Sequence, residues 1–215
     1  MQLTVLSVTA AAGHPPRQPA PATEAVRWPE TGMNCTNLNI VIRDEIDTDI
    51  VAISDVTQAA FESLEISNHT EQYIIEALRA ANALPISLVA ELDGQVVGHI
   101  AFSPVKLSDG TQGWFGLGPV SVEPEYQRKG IGKALIETGL SRLKNLKAQG
   151  CCLVGHPEYY KKFGFQNVDG LVLEGVPKEV FFVLSLHGPV PEGEVTFHNA
   201  FKADGQPAAG GDATR

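Results

Sequence analysis

The chain has 215 residues, 43% of them hydrophobic and 19% charged, with a formal net charge of -9. That length suits one domain with room for tails, large enough to bury roughly 70% of the surface its unfolded chain exposes without help from a metal or disulfide. So acidic a chain, with no stripe of Lys and Arg, argues against nucleic-acid binding, which draws its affinity from cations set against phosphates. An acidic surface could attract a cationic or amine substrate, but solubility alone is the stronger reading of such a charge. Cys35, Cys151 and Cys152 are odd in number, and two of them adjoin inside an apolar stretch, which fits a reducing compartment and a buried strand better than a disulfide framework. No run reaches the ~18 apolar residues of a membrane helix, and residues 1–13 lack the positive start of a secretory signal, so a cytoplasmic protein with no membrane partner is expected.

In chain order, residues 11–30 are rich in Pro and Ala and too poor in large apolar side chains to offset the entropy of ordering. A disordered extension is expected over 1–35, one domain over 36–202 and a flexible tail over 203–215; Met33, just before the first convincing strand, is a candidate initiator. A strand is expected over 38–42 and a helix over 47–63 with Asp47 or Thr48 as N-cap, then a helix over 71–81. Strands over 86–92 and 95–105 flank Asp93-Gly94, a two-residue hairpin signal. Residues 113–122 form an apolar strand, and the longest helix follows over 130–148, ended by Gly150 as C-cap. A short strand over 151–154, a helix over 158–163 and a strand over 180–186 come next, with a further strand over 193–201. This order implies an α+β, three-layer fold: a mixed central sheet of about 6–7 strands flanked by helices.

The most informative stretch is Gly118-Pro-Val-Ser-Val-Glu-Pro-Glu-Tyr-Gln-Arg-Lys-Gly-Ile-Gly-Lys-Ala-Leu135. A strand runs into a turn, and a long helix opens with Gly130 and Gly132. The first turn of a helix leaves up to four N–H groups unpaired and carries partial positive charge. Glycines there let a pyrophosphate approach the backbone, and Arg128, Lys129 and Lys133 add charge at the same end. From the glycines alone, a helix cap beside a solvated basic turn is an equal reading. No G-x-x-x-x-G-K-[ST] loop and no dinucleotide fingerprint is present.

The wider pattern Val120-x-Val122-x-Pro124-x-x-Gln127-x-x-Gly130-x-Gly132-x-Ala134-Leu135 resembles the acetyl-CoA motif of the GNAT N-acetyltransferases. Downstream, Gly155-His-Pro-Glu-Tyr-Tyr-Lys-Lys-Phe-Gly-Phe165 is similar to that family's second signature, in the form carried by a branch of bacterial acetyltransferases. The resemblance implies the GNAT acyl-CoA N-acyltransferase fold over roughly residues 38–200 and transfer of an acetyl group from acetyl-CoA to a small amine or a protein amino group, without a metal. A homodimer is compatible with it. Carried over, the backbone of Val120 and Val122 would pair with pantetheine in a gap between splayed strands, and the amides of Arg128, Lys129, Gly130, Ile131, Gly132 and Lys133 would hold the pyrophosphate, with Gln127 opening the motif. Gly118-Pro119 could supply the bulge behind the splay.

Attack by a neutral amine on a thioester needs a base, oxyanion donors and an acid for the departing thiolate. Tyr160 matches the family's acid, four residues before Gly164, and a phenol stays protonated at neutral pH; Tyr159 is its competitor. The base stays open among Glu123, Glu125, His156, Glu62 and water, while His99 reads as structural. Cys151 and Cys152 read as core, since no His and acid accompany them as nucleophile chemistry requires. A non-catalytic acyl-CoA-binding or regulatory module of the same fold is the alternative to an enzyme.

Overall fold

The computed structural model describes residues 39–62, 64 and 67–205. The extension expected over 1–35, with Met33 and Cys35, lies outside the described residues, as do 206–215 of the expected tail. The elements are β1 (Ile40–Asp44), α1 (Ile50–Phe61), α2 (Glu71–Ala80), β2 (Ile86–Leu92), β3 (Gln95–Pro104), β4 (Lys106–Leu107), β5 (Trp114–Val122), α3 (Ile131–Asn145), β6 (Gly150–Val154), α4 (Pro157–Tyr160), β7 (Leu171–Leu173), β8 (Phe181–Ser185) and β9 (Gly193–Thr196). The main sheet has six strands in the order β1-β2-β3-β5-β6-β8, antiparallel except for the β5–β6 pair, which α3 bridges. The strand expected over 193–201 does not extend it: β9 ends at Thr196 and joins β4 and β7 in a separate three-stranded sheet.

Both faces of the main sheet are covered, which is why its strands read as unbroken apolar runs rather than alternating ones. Successive residues nevertheless serve opposite faces. Cys151 and Leu153 pack with Leu135, Ile136 and Leu143 of α3, whereas Cys152 and Val154 pack in the second core with Ile53, Ile74, Ile75 and Leu78 of α1 and α2. Cys151 and Cys152 are therefore core groups, and burial raises both thiol pKa values. Helix α3 seats closely on β3: a Cβ at Gly139 would collide with the Phe102 ring, and one at Gly98 would stand 3.2 Å from Leu135.

Local chemistry explains the boundaries. Asp93 (φ 50°) and Gly94 (φ 82°) form the tight β2–β3 turn with positive φ at both positions. Neither Asp47 nor Thr48 caps α1, since both lie in a 3-10 turn (Asp47–Asp49); instead the Asp49 carboxylate reaches back to accept from the Ile46 N–H at 2.9 Å. Nor does Gly150 cap α3. Lys147 takes the left-handed position (φ 56°), the Ala148 N–H reaches Leu143 O, and Gly150 is the first residue of β6 because a Cβ there would strike the Trp114 ring. The helix expected over 158–163 splits into α4 and a 3-10 turn (Lys161–Phe163) that Gly164 ends at φ 89°. Among the described residues no helix is long and apolar enough to cross a membrane.

Candidate active site

Strand β5 is paired along both edges only in its first part. Against β6 the pairing runs Trp114–Gly150, Phe115–Cys151, Gly116–Cys152 and stops, while β3 follows β5 to Val122. The register between β3 and β5 shifts between Ile100, opposite Val120, and Phe102, opposite Leu117. One extra β5 residue is thereby taken up at Gly118-Pro119, the bulge the sequence suggested. Past it, β5 and β6 diverge.

A cleft of about 380 Å³ opens on this divergence, lined by Ala60, Phe61, Leu64, Val120, Val122, Gln127, Arg128, Gly130, Gly132, Lys133, Tyr159 and Lys162. Its floor is the free edge of β5. Gln127 Nε2 donates to Val122 O at 3.0 Å, so the backbone groups of Val122 point away from β3, and the two-residue period of a strand turns those of Val120 the same way. The Val122 carbonyl is thus already engaged.

One end of the cleft is built from unpaired amides. Pro124–Tyr126 make a 3-10 turn, Arg128 (φ 60°) and Gly130 (φ 90°) take left-handed conformations, and α3 begins at Ile131. Ala134 N–H is the first to find a helical partner, Gly130 O. Among the described residues, none of the amides from Arg128 to Lys133 donates to a protein acceptor. Successive left-handed and helical residues turn such amides to one side and create an anion-binding concavity. A Cβ at Gly132 would stand 3.1 Å from the Tyr159 hydroxyl, so Gly132 keeps this end open, whereas a Cβ at Gly130 meets nothing within 4 Å and that glycine serves its φ.

Side chains at this end divide in purpose. Arg128 and Lys133 line the cleft; Lys129 instead lies over the Tyr126 ring at 5.0 Å, and Ile131 is 2% exposed in the α3 core. For Ile131, only the backbone is available to a ligand. Lys162, which sequence reading passed over, sits 3.7 Å above the Tyr159 ring and lines the same wall; burial, followed by the nearby Lys133, lowers its pKa. Helical spacing over 157–163 was the signal, since residues three apart share a face. Ala60, Phe61 and Leu64 close the opposite wall and carried no motif.

The two tyrosines separate. Tyr159 lines the cleft beside Gly132. Tyr160 does not line it: it is 2% exposed and packed against Phe165 and Phe182, with its ring where a Cβ of Gly155 would be, just past the end of β6. No described residue hydrogen-bonds the Tyr160 hydroxyl. Burial raises both phenol pKa values, that of Tyr160 well above the ordinary range, so both remain protonated at neutral pH.

None of the base candidates lines the cleft. Glu62 and Glu125 are exposed. His156 is an exposed N-cap whose Nδ1 accepts from Glu158 N–H at 3.3 Å. Glu123 is partly buried, and burial, then Glu125 and Asp55, raise its pKa. His99 is fully buried with Nε2 2.8 Å from Ser87 Oγ, and burial pushes its pKa down to about 4, so it is a neutral structural group.

Comparison with known proteins agrees with this architecture. Residues 85–167 match the model of the acetyltransferase (GNAT) domain. The uncharacterized N-acetyltransferase YhbS of Escherichia coli is 33% identical over 128 residues, which is 59% of this chain and 74% of that protein. Among solved structures, a GNAT family acetyltransferase from Brucella melitensis in complex with acetyl-CoA is 45% identical, with a TM-score of 0.69 over 77% of this chain and 99% of that one. YhbS in complex with CoA is 29% identical, with a TM-score of 0.71 over 81% and 98%. Identity at this level over most of a relative's length places the chain in a family as well as a fold, and it belongs to the GNAT N-acetyltransferases.

Proposed function

We propose that the protein transfers an acetyl group from acetyl-CoA to a primary amine, with the pyrophosphate held at the N-terminus of α3 and Tyr160 protonating the departing CoA sulfur. The observation that carries this reading is the run of amides from Arg128 to Lys133, none of which has an acceptor among the described residues, beside the cleft that Arg128, Gly130, Gly132 and Lys133 line. An anion there gains several N–H donors and the positive end of a fifteen-residue helix. Arg128, Lys133 and Lys162 supply cations around the same point. The Brucella relative is bound to acetyl-CoA and YhbS to CoA, the ligand class whose pyrophosphate this end fits.

The remaining roles are assigned from where each group stands relative to the cleft, Tyr160 lying behind its lining. Pantetheine would lie along β5 and use the Val120 backbone and the Val122 N–H, since the Val122 carbonyl is held by Gln127. Tyr159, with its hydroxyl beside Gly132, belongs to the phosphate end. Tyr160, against Gly155 where β5 and β6 part, belongs to the reacting end, where its unbonded hydroxyl would donate to sulfur as the amine nitrogen attacks the carbonyl carbon and the C–S bond breaks. Water is the favoured proton acceptor for the amine, because no candidate carboxylate or imidazole lines the cleft.

Two conservative variants test the division. Tyr160→Phe should lower kcat on amine substrates by about a hundredfold, the lower range for a lost general acid, with the acetyl-CoA Kd unchanged. Tyr159→Phe should weaken acetyl-CoA binding several-fold and leave kcat near the parent value. The reverse pattern in single-turnover assays would make Tyr159 the acid and reduce Tyr160 to packing.

A further inference from the structure

Of the cations that line the cleft, two belong to the amide cradle and one does not. Arg128 takes the left-handed position that opens the cradle, and Lys133 stands in the first turn of α3 with its ammonium 3.7 Å from Glu137. Lys162 comes instead from the 3-10 turn after α4. Its ammonium lies 3.7 Å above the Tyr159 ring and 5.1 Å from the centre of the Phe163 ring. The Tyr159 hydroxyl is the atom that a Cβ at Gly132 would approach. One ring thus has the cradle at its hydroxyl and Lys162 over its face, which sets Lys162 at the rim of the phosphate end.

Lys162 is also a cation without a counter-charge. No carboxylate among the described residues forms an ion pair with it, whereas Lys161, next in the chain, is 3.8 Å from Glu158. The aromatic faces attract the ammonium and leave its charge intact. Burial and the nearby Lys133 lower its pKa, as expected where positive charges gather with no anion between them. The side chain is exposed, so a ligand in the cleft can reach it.

Acetyl-CoA carries two kinds of phosphate. The pyrophosphate has one charge on each phosphorus, and a row of amides at a helix end suits it. The ribose 3′-phosphate is a monoester with a charge of about -1.5 to -2 at neutral pH. Arg128, Lys133 and the amides between them are taken up by the first kind and leave the second unmatched. A lysine fits that second need. Its ammonium is a point charge on a flexible stem and pairs with a phosphate without a fixed geometry. The rings of Tyr159 and Phe163 hold this one beside the cradle rather than in it.

We infer that Lys162 pairs with the 3′-phosphate of the cosubstrate and makes the enzyme prefer acetyl-CoA to thioesters whose ribose lacks that phosphate. This rests on the pyrophosphate placement proposed above and adds a residue that reads the nucleotide end. The ammonium keeps its place over Tyr159 while its N–H groups donate to the phosphate oxygens.

The test is isothermal titration of the full chain with acetyl-CoA and with acetyl-3′-dephospho-CoA, in the absence of amine. The parent should bind acetyl-CoA about fivefold more tightly than the dephospho form, the upper range for an exposed charge pair. Lys162→Met keeps a stem over the rings and removes the charge. It should weaken acetyl-CoA by that same factor, leave the dephospho form unchanged and so abolish the preference. Lys162→Arg should retain the preference, and Lys161→Met should behave as the parent. Equal weakening of both ligands by Lys162→Met would move Lys162 to the pyrophosphate and overturn the inference. A parent with no preference overturns it too, as does a preference that survives in Lys162→Met. A parent that binds neither ligand overturns the pyrophosphate placement itself, an outcome distinct from the others.

Discussion

The two halves of β5 share one strand and are built to opposite ends. From Trp114 to Gly116 it is paired on both sides, and its glycines and partners exist to let rings in: the Phe197 ring fills the space over Gly116 and the Trp114 ring the space over Gly150. From Leu117 to Val122 it is paired on one side only, and the glycines of the adjoining turn keep space empty: Gly130 faces nothing and Gly132 faces a cleft. Glycine therefore carries two meanings within forty residues, closure at one end and ligand access at the other. Position relative to the bulge at Gly118-Pro119 decides between them.

Substitutions at the two kinds of glycine should separate binding from stability. At the open end, Gly132→Glu puts a carboxylate where an anion should bind and should weaken acetyl-CoA by a thousandfold or more, about 4 kcal/mol, with little change in Tm; isothermal titration measures it, and retained binding would make the free amides a mere helix cap. At the closed end, Gly150→Ala drives a methyl into the Trp114 ring, an overpacking that costs about 3 kcal/mol and should lower Tm by roughly 6–12 °C while the acetyl-CoA Kd holds. Loss of ligand affinity from that variant would show the two halves to be coupled.

The smallest effect comes from the imidazole behind the sheet. His99 titrates near 6.5 when unfolded and is pushed down to about 4 by burial, so from pH 6.5 downward the unfolded chain takes a proton the folded one refuses. Stability should fall by about 2 kcal/mol between pH 6.5 and 5, and a His99→Gln variant should show a flatter profile. The carboxylates of Glu45 and Asp49, held low despite burial by Arg79 and Arg43, lose their contribution only below that window, so an equal slope in both proteins would assign the effect elsewhere.

Much of this was legible in the sequence because its signals were local. Asp93-Gly94 can form one kind of turn, the glycines after Gln127 mark a helix start, and the apolar run over 151–154 could only be a strand covered twice. The bulge at Gly118-Pro119 was readable for the same reason, since proline leaves a ladder position without a donor. What escaped depended on distant partners. Gly150 looked like a helix cap until Trp114 supplied a reason for a strand glycine. The small sheet of β4, β9 and β7 is assembled from pieces of two to four residues, too short for any period to show. Lys162 entered the site by stacking on Tyr159.

The unpaired run of β5 has a meaning beyond ligand binding. A strand with a bare edge is an invitation to other strands, and sheets left open in this way are starting points for aggregation. Other proteins blunt such edges with lysines, prolines or very short strands. Here the edge is recessed between Phe61 and Leu64 on one side and Tyr159 and Lys162 on the other, and one of its carbonyls is taken by Gln127. Walls on both sides narrow the approach for another sheet, while a slender ligand that mimics a strand fits between them. The same walls that shape the cleft thus serve as colloidal protection for a sheet that must stay unfinished to work.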